Sequence, residues 1–321
     1  MTEPVPLNPD TDRLNRARQT ADLIVARVGE IILGKDREIR LAVTCLLARG
    51  HLLIEDLPGV GKTLLARCLA TTLGLDYRRI QFTSDLLPAD IIGVSVFSQA
   101  DENFQFQPGP LFAQLVLADE VNRATPKAQS ALLEAMEEHQ ITVDGATYGL
   151  PGPFFVIATQ NPANQIGTFP LPESQLDRFL MRIGLGYPAP ELERELLSGR
   201  NRRDMIADLE PAVTPQDILE LQGAVRSIHV AEPLLDYAQA LVARTRESSE
   251  LSYGLSPRAA VDLLTAARCW ALLGGHRGVR PEDLKAVFVA VAAHRLHGHD
   301  QYAGRSSVAL AQAVLDSVPV P

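Results

Sequence analysis

The stretch Leu52-Leu53-Ile54-Glu55-Asp56-Leu57-Pro58-Gly59-Val60-Gly61-Lys62-Thr63 decides how the rest of the chain is read. Its apolar start reads as a buried strand that stops at two acids and a Pro-Gly turn. Beyond the lysine and threonine, Leu64-Leu65-Ala66-Arg67-Cys68-Leu69-Ala70 reads as a helix. Strand, glycine-rich turn and helix in that order make a phosphate cradle, because the turn's N–H groups and the positive end of the helix dipole point the same way. In such a cradle Lys62 reaches the β- and γ-phosphates of a nucleotide and the Thr63 hydroxyl ligates Mg²⁺. The loop made of Asp56, Leu57, Pro58, Gly59, Val60, Gly61, Lys62, Thr63 and Leu64 is therefore the expected binding segment. The generic pattern G-x-x-x-x-G-K-[ST] is met except at Asp56, which takes the place of the first glycine.

Outward from the cradle, further apolar runs mark other strands: Tyr77-Arg78-Arg79-Ile80-Gln81-Phe82, Gln114-Leu115-Val116-Leu117-Ala118, Phe154-Phe155-Val156-Ile157-Ala158 and residues 180–185. Helical segments separate them, most clearly 126–139. Short apolar strands alternating with helices predict a five-stranded parallel sheet covered on both faces, an α/β fold. Upstream, Leu14, Ala17, Ala21, Ile24 and Val28 have helical spacing over 11–32, and a second helix over 38–48 is ended by Gly50. Residues 1–11 are expected to be disordered. Two segments interrupt the alternation and read as hairpins, one at 94–106 with a polar tip and one at 141–148 around Asp144-Gly145. Tyr187-Pro188-Ala189-Pro190 closes the sheet domain, set at 12–188. From 189 to 321 the pattern is helical, with Pro215, Pro257 and Pro281 just inside helix starts, and Thr214 and Ser256 as caps. A smaller all-helical second domain is expected there.

Bulk properties narrow the partners. The chain's 321 residues give room for two domains. A net charge of −9 opposes a sequence-independent grip on nucleic acid, which needs clustered Lys and Arg, although a local basic channel is compatible with it. Cys45, Cys68 and Cys269 lack metal-ligand spacing and read as buried free thiols in a reducing cytosol, so a cytoplasmic location is expected. The N-terminal segment is acidic and Pro-rich without an apolar core, so no signal peptide is expected. The longest charge-free stretch, 145–172, is broken by Pro, Gly, Asn and Gln, and no stable membrane insertion is expected.

Four further places carry chemistry. Leu115-Val116-Leu117-Ala118-Asp119-Glu120 is a strand ending in two acids, and in a parallel sheet that end lies beside the phosphate cradle, because ligands sit at the carboxyl ends of the strands. Asp119 is placed to hold Mg²⁺ through water and Glu120 to polarise the attacking water as general base. Asn161, ending the next strand before Pro162, can hold the water or the γ-phosphate from the other side. Arg178 fits either a surface ion pair, with Asp177 or another acid, or a cation supplied to a neighbouring subunit's transferring phosphoryl group. Arg258 sits in the first turn of a helix, where a cation opposes the dipole, and that local cost favours a functional placement.

In this order and spacing the motifs resemble those of AAA+ ATPases. More narrowly, Glu55-Asp56-Leu57-Pro58-Gly59-Val60-Gly61-Lys62-Thr63, Ala118-Asp119-Glu120-Val121-Asn122-Arg123-Ala124 and Ala158-Thr159-Gln160-Asn161-Pro162 resemble the MoxR family, in which Asp56 is a common occupant. The resemblance spans about residues 20 to 300. It implies a five-stranded αβα P-loop domain followed by a helical lid, assembled as a hexameric ring that binds ATP and Mg²⁺. It also implies Walker A at Lys62 and Thr63, Walker B at Asp119 and Glu120, sensor 1 at Asn161, the arginine finger at Arg178 and sensor 2 at Arg258. The hairpins match the helix-2 insert and the pre-sensor-1 hairpin, and the stretch around Gly34 (residues 31–35) matches the adenine site. Whether Arg258 serves its own nucleotide or a neighbour's stays open at this level.

Three functions are compatible with such a motor: a chaperone that remodels partner proteins, a nucleic-acid-stimulated ring motor of helicase type, and a nucleotide-gated scaffold with little turnover. The resemblance implies partners bearing von Willebrand factor A domains and roles in assembly or cofactor insertion. The tip of the first hairpin carries Asp101 and Glu102 and no Lys or Arg, which would repel phosphates and opposes the second function. Glu120 and Asn161 act on water rather than on binding, which opposes the third.

Overall fold

The computed structural model describes residues 9–161, 168–199, 201–299 and 304–320. Helices α1 (Pro9–Gly29) and α2 (Asp36–Leu47) lead into β1 (Leu52–Glu55) and α3 (Lys62–Thr72). Next come β2 (Tyr77–Gln81), the short α4 (Pro88–Ile92) and a hairpin of β3 (Gly93–Ser98) and β4 (Asn103–Pro108). They are followed by β5 (Leu115–Asp119), α5 (Pro126–Glu138), a second hairpin of β6 (Gln140–Val143) and β7 (Ala146–Gly149), β8 (Phe155–Gln160), α6 (Glu173–Leu176) and β9 (Met181–Ile183). The remainder is helical: α7 (Pro190–Ser198), α8 (Arg202–Ala207), α9 (Pro215–Val225), α10 (Glu232–Glu247), α11 (Pro257–Leu273), α12 (Pro281–Ala292) and α13 (Ser307–Ser317).

Five strands form one parallel sheet in the order β2-β5-β8-β1-β9. Successive side chains of a strand alternate between faces, and both faces are covered here, so the runs are apolar throughout. Leu52, Ile54, Leu115, Leu117, Phe155, Ile157 and Met181 face one side with residues of α1, α2 and α3. Leu53, Val116, Ala118, Val156 and Ala158 face the other with Ile91 of α4 and Leu132, Leu133 and Met136 of α5. Each fully buried Leu, Ile, Val or Phe contributes about 1.5–3 kcal/mol relative to exposure. The first of these cores continues into the second domain, because α2 packs on α11, and α1 on α9 and α11. The helical lid therefore rests on the N-terminal helices.

Several local details differ from expectation. The first helix begins at Pro9, a favoured first-turn residue, so residues 9–11 of the segment expected to be disordered are helical, while residues 1–8 lie outside those described. Past α2 the left-handed residue is Arg49 (φ 57°), not Gly50. Gly50 is required for another reason: a Cβ there would lie 2.3 Å from Leu180. The last strand is trimmed to three residues. The expected caps are made, with Thr214 accepting from the Asp217 N–H at 3.3 Å and Ser256 from the Ala259 N–H at 3.1 Å. Among the described residues no helix is long and apolar enough to cross a membrane.

Candidate active site

Between β1 and α3 the chain reverses through Gly59 (φ 85°) and Gly61 (φ 98°), left-handed backbone that a side chain would strain. Nothing lies within 4 Å of where a Cβ on either would sit, so this backbone faces open space. Gly61 precedes α3, whose unpaired first-turn N–H groups are the kind that bind anions. A cavity of about 650 Å³ opens beside the turn, and Lys62, Thr63, Leu64, Asp119, Glu120 and Asn161 all line it. Motifs 99 residues apart in sequence thus meet at one place.

Lys62 is buried, 8% exposed. Its ammonium donates to the Asp56 carbonyl at 2.6 Å, to Asn161 Oδ1 at 3.1 Å and more weakly to the Gln160 carbonyl at 3.4 Å. Burial lowers its pKa, against the pull of the Asp56, Asp119 and Glu120 carboxylates. Asn161 is buried, and its Nδ2 donates to Glu120 Oε1 at 3.0 Å. Its amide orientation is fixed chemically, since Lys62 can only donate and Glu120 only accept. One carboxamide therefore joins the phosphate-binding lysine to the expected base.

Glu120 takes left-handed backbone (φ 57°) just past β5, uncommon for a residue with a side chain. Its N–H donates to Thr159 Oγ1 at 2.9 Å. Its Oε2 accepts from Gln81 at 3.1 Å and pairs with Arg123 at 3.0 Å. Asp119 is buried (7% exposed) and accepts the Thr159 hydroxyl on Oδ1 at 2.6 Å. Arg79 donates to its Oδ2 through Nε at 3.1 Å and Nη2 at 2.7 Å. Sequence reasoning missed Arg79, Gln81 and Thr159. Strand alternation puts Arg79 and Gln81 on one face of β2, but only the register with β5 sets Gln81 beside Asp119.

The remaining loop residues divide by role. Asp56 Oδ1 accepts from the Leu57 N–H at 2.7 Å, and Oδ2 accepts from the Leu185 and Gly186 N–H groups, both at 2.6 Å. The carboxylate thus ties the phosphate loop to the chain leaving β9. Val60 packs against the core, whereas Leu57 is exposed. Gly34 (φ 65°) lies against Leu192 of α7, where a Cβ would come within 2.2 Å, and it does not line the cavity. Arg203 of α8, which no motif signalled, does line it.

The two expected arginines sit elsewhere, and together. Arg178 pairs with Glu137 Oε2 at 3.1 Å and donates to the Leu133 carbonyl at 2.6 Å. Arg258 of α11 donates to Glu137 Oε1 at 3.0 Å. Asp177 is not the partner of Arg178, because Arg295 holds it at 2.7 Å. Neither Arg178 nor Arg258 lines the cavity among the described residues.

The residues fit a nucleoside triphosphate with a divalent cation. The open glycine backbone and Lys62 suit phosphates, and Thr63 and Asp119 border the same space with oxygen donors suited to Mg²⁺. Comparison with known proteins agrees. Residues 51–181 match the ATPase family associated with various cellular activities (AAA), and residues 243–316 match the AAA lid domain. The uncharacterized protein YeaC of Bacillus subtilis is 42% identical over 299 residues, covering 92% of this chain and 93% of YeaC. Chaperone MoxR1 of Mycobacterium tuberculosis is 41% identical over 286 residues, covering 86% of this chain and 75% of that one. A crystallised protein from Cytophaga hutchinsonii, assigned as an ATPase, is similar with a TM-score of 0.87 at 37% identity, covering 97% of each chain.

Proposed function

The chain belongs to the MoxR family of AAA+ ATPases, and from that premise we propose that it hydrolyses ATP in a ring of identical subunits to remodel a partner protein. The observation that carries hydrolysis is the Asn161 carboxamide, bonded at once to Lys62 and to Glu120. In this reading Lys62 and the 59–61 backbone hold the phosphates. Glu120 takes a proton from the attacking water while the bond to the γ-phosphorus of ATP forms and the bond to the leaving ADP oxygen breaks. Asn161 keeps base and lysine in register. Thr63 and Asp119 would hold Mg²⁺, which supplies charge neutralisation at the phosphates when bound.

Arg178 and Arg258 lie away from their own subunit's cavity, and we read both as cations for a neighbour's nucleotide in a ring, with a hexamer expected. The β3–β4 hairpin supports a protein substrate: Phe97 and Phe104 are exposed, edge-to-face at 5.4 Å, beneath a tip bearing Asp101 and Glu102. An acidic tip with apolar flanks suits polypeptide and repels nucleic acid. A partner with a von Willebrand factor A domain and a cytoplasmic location complete the reading.

Mixing two inactive variants tests it. Glu120→Gln keeps Arg178 but lacks the base, whereas Arg178→Ala keeps the base but lacks the arginine. Recovery of ATPase activity on mixing supports a shared site. No recovery, with mixed oligomers demonstrated, removes Arg178 from the neighbour's site. Co-purification with Glu120→Gln then identifies the partner.

A further inference from the structure

Two charges in this chain are placed badly for the helices that carry them. Glu137 stands in the last turn of α5, where a negative charge meets the negative end of the dipole, and no basic residue accompanies it. Arg258 stands in the first turn of α11, where a positive charge meets the positive end, with no acid beside it in that turn. These two groups face each other across the domain junction at 3.0 Å, and the second Glu137 oxygen holds Arg178 at 3.1 Å. One carboxylate therefore serves both arginines, one oxygen each.

The surroundings make this a fixed joint. Arg178 also donates to the carbonyl of Leu133, one turn back on α5. The backbone on either side of Arg178 is held from the lid: Arg295 donates to the carbonyls of Asp177, Phe179 and Leu180 at 3.1, 3.0 and 3.2 Å. His294 contacts the Phe179 carbonyl at 2.8 Å. Asp262, one turn along α11, gives its direct ion pair to Arg295 at 2.8 Å and acts on Arg258 only through the longer-range charge interaction.

We propose that Glu137 is a positioning residue that sets Arg178 and Arg258 as a single pair of cations, so that the α5 end, the approach to β9 and the lid present both arginines to one neighbouring nucleotide at fixed spacing. This rests on the reading of both arginines as acting across the subunit interface. Glu137 touches no nucleotide; it acts through the geometry of the pair.

The test is steady-state ATPase kinetics of the full chain for Glu137→Ala and the nearly isosteric Glu137→Gln, with own-subunit nucleotide affinity followed by fluorescent ATP analogue and assembly by light scattering. Misplacing a catalytic group by an ångström can cost about 10²-fold in rate. The expected result is a fall in kcat of about 10- to 100-fold with KM, analogue affinity and oligomer mass unchanged. Glutamine offers an oxygen to one arginine and an amide N–H₂ to the other, so it should not rescue. Adding Glu137→Ala to Arg178→Ala should change the residual rate less than about twofold, because there is no longer a pair to align. Wild-type kcat in both Glu137 variants, while Arg178→Ala and Arg258→Ala are inactive, overturns the positioning role alone. Full turnover in Arg178→Ala and Arg258→Ala overturns the underlying reading, and this proposal with it. A rate loss that follows lost assembly also overturns it.

Discussion

Arg79 grips a single oxygen of Asp119 through two nitrogens, at 3.1 and 2.7 Å. The carboxylate expected to border a metal thus already has a cation, partly exposed and able to yield. Only the guanidinium side of the pair is well exposed, and solvent screening there weakens its hold on the buried carboxylate. Arg79→Ala should therefore lower the Mg²⁺ concentration needed for half-maximal binding of a fluorescent ATP analogue, by about threefold. An unchanged or raised Mg²⁺ requirement would show that Arg79 supports the metal site instead of competing for it.

Glu120→Gln keeps an oxygen for Asn161 and should bind the ATP analogue at near wild-type affinity. Its phosphate release should fall by about 10²–10⁴, the usual contribution of a general base. Asn161→Asp still accepts from Lys62 but sets a second carboxylate against Glu120, and should likewise lose turnover before binding. Because the two side chains act as a unit, the double variant should be little worse than the weaker single one. Strictly multiplicative losses would separate them.

Arg295 is the buried bolt of the domain junction, with 5% of its side chain exposed and ion pairs to Asp177 and Asp262. Burial pushes the Asp262 pKa up and Arg295 opposes it. Arg295→Met removes the direct partner of both acids and should cost about 3 kcal/mol in urea unfolding. Adding Asp262→Asn should recover part of that loss. A cost below about 1 kcal/mol would mean that the Arg295 ion pairs do not hold the junction.

His51 gives a pH dependence with a defined sign. It is buried at the start of β1, accepts from the Val156 N–H at 3.0 Å and donates to the Met136 carbonyl at 3.1 Å, so it is held neutral. Burial lowers its pKa from 6.5 to about 4, so the unfolded chain takes up the proton first as pH falls. The stability it provides is complete above about 6.5 and is lost as pH drops toward 4, roughly 2 kcal/mol of it by pH 5. His51→Gln offers the same donor and acceptor without titrating. It should flatten the fall in unfolding midpoint between pH 7 and 5, and an identical slope in both proteins would rule His51 out as a source.

The sheet was legible because each buried strand is a short apolar run, and the cradle because two glycines and a lysine have few other uses in that setting. Short or alanine-rich helices were harder. α4 is five residues long, and α13 buries Leu310, Ala311, Val314 and Leu315 at helical spacing behind a Ser306 cap, a weak stripe among alanines. In the site, motif residues adjacent to strand ends were readable. Arg79, Gln81, Thr159 and Glu137 were not, since their partners lie 39 to 121 residues away and only strand register and domain packing bring them together.

The Asp56 carboxylate has a consequence for engineering. Its three backbone donors belong partly to the loop and partly to residues 185 and 186, about 130 positions downstream. The nine-residue signature is therefore not a portable cassette: transplanted into another P-loop scaffold, it would arrive with an acid whose receptacle stayed behind. Conversely, restoring the consensus glycine here would improve the match to the generic signature while detaching the loop from the joint that leads to the lid.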